Sequence, residues 1–177
     1  MPILSDFVYL EGSARNDSTT VLLEGPYSAY MDGRFVGKAS LPMVAQGELL
    51  NIGFGADSQL RVARELVNKT EAIRGGNREI TFNYRLMLQN FKDRDVTIRV
   101  MDRMPWANRD DVRVVVKEQS EALSTDKEYL RDQKPKGLLR WDTSVPKGAS
   151  GATAKEISYT FTVEHDKNMV LVAGAQR

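Results

Sequence analysis

Between Arg78 and Asn90 the chain reads REITFNYRLMLQN, with Ile80, Phe82, Tyr84, Leu86 and Leu88 on every second residue. Thr81, Asn83, Arg85, Met87 and Gln89 fill the gaps. On an extended chain successive side chains point to opposite faces, so this alternation predicts a strand with one buried side. A helix would scatter the five apolar residues around its circumference. Gly75-Gly76-Asn77 punctuates the entrance and Asn90-Phe91-Lys92-Asp93 the exit, which predicts a turn at each end. The stretch reads as a central strand whose inner face the remaining chain covers.

The rest of the sequence repeats the theme. Phe7 to Arg15 is a candidate strand closed by a turn at Asn16-Asp17-Ser18, and Val21 to Met31 is a second extended run. Asp32-Gly33 leads directly into Arg34-Phe35-Val36-Gly37 and predicts a hairpin, because a type I′ turn needs positive φ at both central positions. Gly53-Phe54-Gly55-Ala56-Asp57 lacks the G-x-G-x-x-G spacing and the following helix that a phosphate loop needs, so a sharp turn between strands is expected there. Leu60 to Leu66, Val96 to Val100, Val112 to Val116, Leu139 to Val145 and Ile157 to Val163 are further strand-like runs. Gln119 to Lys136 is charged and has no Val, Ile or Phe, so it reads as a long loop or short exposed helix open to proteases. The expectation is an all-β fold: an antiparallel, immunoglobulin-like β-sandwich of about nine strands with little or no helix, forming a single domain over residues 1–177. Phe82, Tyr84, Leu86, Ile98, Val100, Val114, Trp141, Tyr159 and Phe161 are its expected shared interior.

Composition narrows the partners. The 25 Lys and Arg against 24 Asp and Glu leave a net charge of +1 with the signs interleaved, which argues against nucleic acid. No apolar run approaches the roughly 20 residues needed to span a bilayer, so membrane insertion is not expected. The absence of cysteine removes disulfides and thiol chemistry but does not fix a compartment. The start, MPILSDFVYLEGSA, is not a signal peptide and reads as though it opens in mid-strand, as in a piece of a longer protein.

The words LLEGPYSAYMDGRFVGKASLP, GELLNIGFGAD, NYRLMLQNFKDRDVTIRVMDRMPWANRDDVRV and KGLLRW, in that order, resemble the C-terminal domain of unknown function of the mucoidy-inhibitor A family. The resemblance runs from about Phe7 to the C-terminus. It implies an N-terminal β domain and a coiled coil upstream, both missing here, and a link to exopolysaccharide production or the cell envelope. It brings no catalytic residues. Trp106 departs from the pattern, because relatives often carry a small residue after the proline.

No constellation for chemistry stands out. His165 is the only histidine and falls just past the last expected strand, where solvent is the default surrounding. Asp110 and Asp111 are adjacent and cannot pair on one strand face. Asp57, Asp102, Asp110, Glu118 and Asp142 are the carboxylates from which a glycosidase pair would have to come, and nothing singles out two of them. Neither a metal site nor a cofactor is expected. Trp106, in the loop Met104-Pro105-Trp106-Ala107-Asn108, either folds back over the sandwich or offers a flat face to a partner. The favoured reading is a non-catalytic module that contacts a protein partner or the missing N-terminal portion of its own chain. A carbohydrate-binding module using Trp106 is the first alternative, and a hydrolase of undetected type the second.

Overall fold

The structure, a computed structural model, describes residues 1–31, 33–107 and 110–169. The chain is all-β, with nine strands and antiparallel sheets: β1 (Phe7–Arg15), β2 (Gly25–Met31), β3 (Arg34–Leu41), β4 (Leu49–Arg74), β5 (Asn77–Asn90), β6 (Val96–Arg103), β7 (Val112–Gln119), β8 (Leu138–Val145) and β9 (Lys155–Asp166). Among the described residues only short helical turns interrupt them, at Tyr129–Gln133, Lys134–Lys136 and Gly151–Thr153. Contacts divide the chain into two compact units: a first unit of Phe7–Leu60, and a second of Met1–Asp6 with Arg61–Arg177.

In the first unit β1 lies beside the start of β4, and β2 pairs with β3 in a hairpin whose last partners are Met31 and Arg34. The expected hairpin is therefore present, with Gly33 at φ +75°; Asp32 lies outside the described residues. The corner after β1 is built by Asn16, which is buried. Its Nδ2 donates to the carbonyls of Thr20, Val44 and Ala45 at 2.9, 3.2 and 3.2 Å, and its Oδ1 accepts from the Ser18 amide. The buried apolar side chains of this unit are small in number and size: Ala29, Val44, Leu50 and Leu60.

One expectation fails here. Gly53 to Asp57 is no turn between strands but part of β4, which runs unbroken for 26 residues. Gly55 takes φ +85°, so the glycine absorbs a local irregularity inside the strand rather than ending it.

The second unit carries the main core. Gly75 and Gly76, both at positive φ, close the tight turn from β4 into β5. β5 sits between β4 and β9, as its alternation predicts, and β7 follows β9. The β5–β9 register sets Phe82 opposite Phe161, Tyr84 opposite Tyr159 and Leu86 opposite Ile157. These rings stack, with Phe82–Phe161 at 5.1 Å and Tyr84–Tyr159 at 5.6 Å between centroids. β6 pairs with β8, and Trp141 of β8 brings its ring to 5.5 Å from Tyr159. Leu86, Leu88, Leu139, Trp141, Val145, Ile157 and Tyr159 are wholly or almost wholly buried. Phe82, Tyr84 and Val114, expected in the same interior, are half-buried: the pairing phase is right, but the cover is incomplete toward that end of the sheet.

β5 ends at a corner held by Asn90, whose Nδ2 donates to the carbonyls of Arg94, Val145 and Pro146 at 2.9, 3.1 and 3.0 Å. On β7 the register slips between Val116 and Glu118, leaving Lys117 without an opposite residue: a β-bulge.

Two further expectations are corrected. His165 is not beyond the last strand, because β9 continues to Asp166; it shares the parity of Phe161 and Val163 and is 3% exposed. Gln119 to Lys136 does contain an apolar anchor, Tyr129, which is fully buried. Its hydroxyl donates to the Leu138 carbonyl at 3.1 Å and accepts from the Arg140 amide at 3.3 Å. The segment's charge and its lack of Val, Ile and Phe masked this single aromatic anchor.

Candidate functional site

The inner face of the second unit holds one ionic cluster. Asp102 on β6 shares the parity of Ile98 and Val100, so its carboxylate is carried into the core and is fully buried. A buried charge is tolerated only when paired and hydrogen-bonded. Arg64 of β4 donates to Asp102 Oδ2 at 2.8 Å, the Tyr159 hydroxyl donates to the same oxygen at 2.6 Å, and the Arg103 amide donates to Oδ1 at 2.8 Å. Arg64 also lies 3.6 Å from the centre of the Tyr84 ring. Burial and the Asp102 charge push the Tyr159 hydroxyl well above its ordinary pKa. Burial works against the Arg64 cation, but the Asp102 hydrogen bond and charge outweigh it and hold the guanidinium above its usual range. Arg64 and Tyr159 are thus held as cation and neutral hydroxyl near neutrality, which suits a clamp between β4, β6 and β9.

A second polar cluster ties down the segment after β7. Asp142 accepts from Ser124 Oγ at 2.6 Å and pairs with Arg140 at 3.0 Å, while Asp126 lies 3.2 Å from Arg140. Burial opposes ionisation of Asp142, yet the hydrogen bonds from Ser124 and Arg140 lower its pKa on balance. The Tyr129 amide lowers that of Asp126. Trp141 Nε1 donates to the Glu121 carbonyl at 3.2 Å, and Lys155 lies 2.8 Å from the Glu121 carboxylate.

The remaining sequence candidates scatter. Asp57 is on β4 in the first unit, Asp110 is exposed in the turn before β7, and Glu118 lies beside the bulge. His165 Nδ1 lies 2.9 Å from the Asp166 carbonyl oxygen, a local contact. Among the described residues no three His, Asp or Glu side chains are placed to hold a metal ion. No described helix is long and apolar enough to cross a membrane.

Trp106 is 59% exposed, so of its two expected placements the structure takes the open one. The backbone beneath it is braced. The Met104 amide donates to the Gly137 carbonyl at 3.0 Å, and Gly137 sits at φ +75°. A Cβ there would lie 3.0 Å from the Met104 oxygen and 3.4 Å from Trp106 Cβ, so only glycine fits.

Sequence reasoning passed over a larger aromatic feature. Tyr30 and Phe35 face each other across the β2–β3 hairpin, edge to face at 5.7 Å, and are 60% and 55% exposed. Phe7, Tyr9, Leu23, Met43 and Leu49 of the same unit are also exposed. The signal was available: two aromatics flanking an Asp-Gly turn at paired positions share a face, and the unit has few apolar partners to bury them.

No curated protein and no solved structure matches the chain. A family does, over residues 9–167, which takes in all nine strands apart from the first two residues of β1. The chain belongs to the family described as domain of unknown function DUF4139.

Proposed function

We propose that the chain is a non-catalytic β module that docks a protein partner through the apolar surface of its first unit, with Trp106 as a second aromatic contact. The partner is a separate protein or another part of a longer chain, in the envelope- or exopolysaccharide-related setting that the mucoidy-inhibitor A resemblance implies. The observation that carries this reading is the exposed Tyr30–Phe35 ring pair among other uncovered apolar side chains. Aromatic anchors dominate binding energy at the interfaces where they occur. The non-catalytic part rests on the use of the acid–base groups: Asp102 and Asp142 are both engaged by cations, and the Tyr159 hydroxyl is committed to Asp102.

Photo-crosslinking amino acids placed at Phe35 and at Trp106 test this in the source cells, with Lys38 on the same hairpin as the control. A discrete crosslinked protein at position 35 that disappears in Tyr30→Ser is the expected result. Equal labelling at all three positions, or none at 35 and 106, overturns the proposal.

A further inference from the structure

The outer face of the second unit's main sheet is unlike the surfaces described so far. The register places Thr81 opposite Thr162 and Asn83 opposite Thr160, and β4 adds Asn68 and Thr70 alongside. These six side chains floor a hollow of about 440 Å³. Its walls are long and charged: Arg74 lies 3.8 Å from Glu79 at one end, and Lys117 with Glu118 stands along the β7 side. A smaller hollow of about 230 Å³ continues past Asn83 and Thr160 toward Ser120 and Ser158.

Three features separate this from an ordinary solvated sheet face. None of the six floor side chains hydrogen-bonds to another described residue, so their hydroxyls and amides are free to serve a ligand. Thr81, Asn83 and Thr160 are half-buried and Thr162 is buried, so this capacity sits at the bottom of a depression. The walls carry two cations and two anions, which cancel.

We propose that this hollow binds a neutral oligosaccharide. Thr hydroxyls and Asn amides each donate and accept, and so do sugar hydroxyls. Neighbouring strands lie about 4.8 Å apart and alternate residues on a strand about 6.6 Å apart, giving a regular grid of such groups for a polyhydroxylated chain to lie across. A protein partner is disfavoured at this spot, since interface cores are apolar and aromatic and this floor has no apolar residue. Small apolar ligands are disfavoured for the same reason. An anionic polymer would gain from the two cations only what it lost to the two anions. The site is separate from the apolar surface of the first unit, and either can fail without the other.

The test is a titration of the whole chain with maltohexaose, cellohexaose and mannohexaose, with an oligogalacturonate as the anionic probe, followed by amide chemical shifts. At least one neutral hexaose should shift Thr81, Asn83, Thr160 and Thr162. Asn83→Ala with Thr160→Ala should weaken that binding about tenfold or more, the effect of two lost hydrogen bonds. Lys117→Ala with Glu118→Ala, at the exposed rim, should weaken it less and guards against a folding defect in the first pair. Trp106→Ala should leave it unchanged. No shift with any neutral hexaose, preference for the oligogalacturonate, or shifts confined to the Trp106 loop overturns the proposal.

Discussion

Asn16 and Asn90 turn the chain at the same kind of corner, one in each unit. Each directs its amide at the carbonyl four residues on and at two successive carbonyls of a distant segment, Val44-Ala45 or Val145-Pro146. Each receives the amide two residues on, and each backbone amide donates to the carbonyl four residues beyond the distant valine, Glu48 or Ala149. Between them lies a left-handed glycine in both cases, Gly47 at φ +77° and Gly148 at φ +67°. The strand scheme repeats as well: β1 pairs with β4 and β2 with β3, while β5 pairs with β9 and β6 with β8, β7 being the addition. What does not repeat is the filling. Four residues before Val145 stands the buried Trp141, and four before Val44 stands the exposed Ser40. One backbone frame thus serves two ends. With large aromatics inside it encloses a core, and in the first unit it leaves Tyr30 and Phe35 at the surface.

The contrast is broken most easily at its strongest point. Trp141→Ala should lower unfolding free energy by about 3–5 kcal/mol in urea, the range for emptying a large aromatic site. Ser40→Ala should change it by less than about 0.5 kcal/mol. A small loss at Trp141 would mean that the aromatic core is not what distinguishes the second unit. Next come the corners. Asn90→Ala removes three hydrogen bonds to carbonyls, of which that of Pro146 keeps a donor in the Ala149 amide, and should cost about 2–3 kcal/mol at roughly 1 kcal/mol for each bond. Asn16→Ala removes as many bonds, but Thr20, Val44 and Ala45 keep donors in the Ser18 hydroxyl and the Leu22 and Glu48 amides, so hydrogen exchange should rise only across residues 7–60 while the global midpoint moves less. Equal protection loss in both units would unite what the contact pattern divides. A smaller effect is expected of Gly137→Ala, about 1–2 kcal/mol for a side chain in the left-handed region, with a fall in Trp106 fluorescence anisotropy as its bracing is lost.

The smallest effect is one of pH and sharpens the picture of the segment after β7. Asp126 and Asp142 have folded pKa values below their ordinary ones. A depressed carboxylate stabilises the fold above its unfolded value, near pH 3.9, and that stability is lost as pH falls through the lower folded value. Residues 121–142 should therefore gain trypsin-independent mobility, read as amide exchange, only below about pH 4. Loosening between pH 5 and 7 would assign the anchoring to some other group.

The alternation from Ile80 to Leu88 predicted β5 and its central place because a period of two has one structural meaning. The Asp-Gly and Gly-Gly pairs located their hairpins for an equally local reason. The burial of Asp102 was not legible, since a lone aspartate at a core parity makes sense only once Arg64, 38 residues away in sequence, is known to meet it. His165 was misplaced because a polar residue at a strand end looks like the end. Of the proposed sites, Trp106 was legible from its proline neighbour. The Thr–Asn grid was not, because it needs the β5–β9 register to bring Thr81 and Thr162 together.

The bulge at Lys117 has a consequence for behaviour in concentrated solution. Among the described residues β7 is the last strand of its sheet, and its sequence VRVVVKEQ has the β-branched, Pro-free character of a segment that pairs edge to edge with copies of itself. Such growth requires an unbroken row of main-chain donors and acceptors. The bulge interrupts that row and sets a charged side chain at the interruption, so an incoming strand meets a mismatch in spacing together with a cation. The bulge and the Lys117 charge thus both weigh against strand addition along this valine-rich edge.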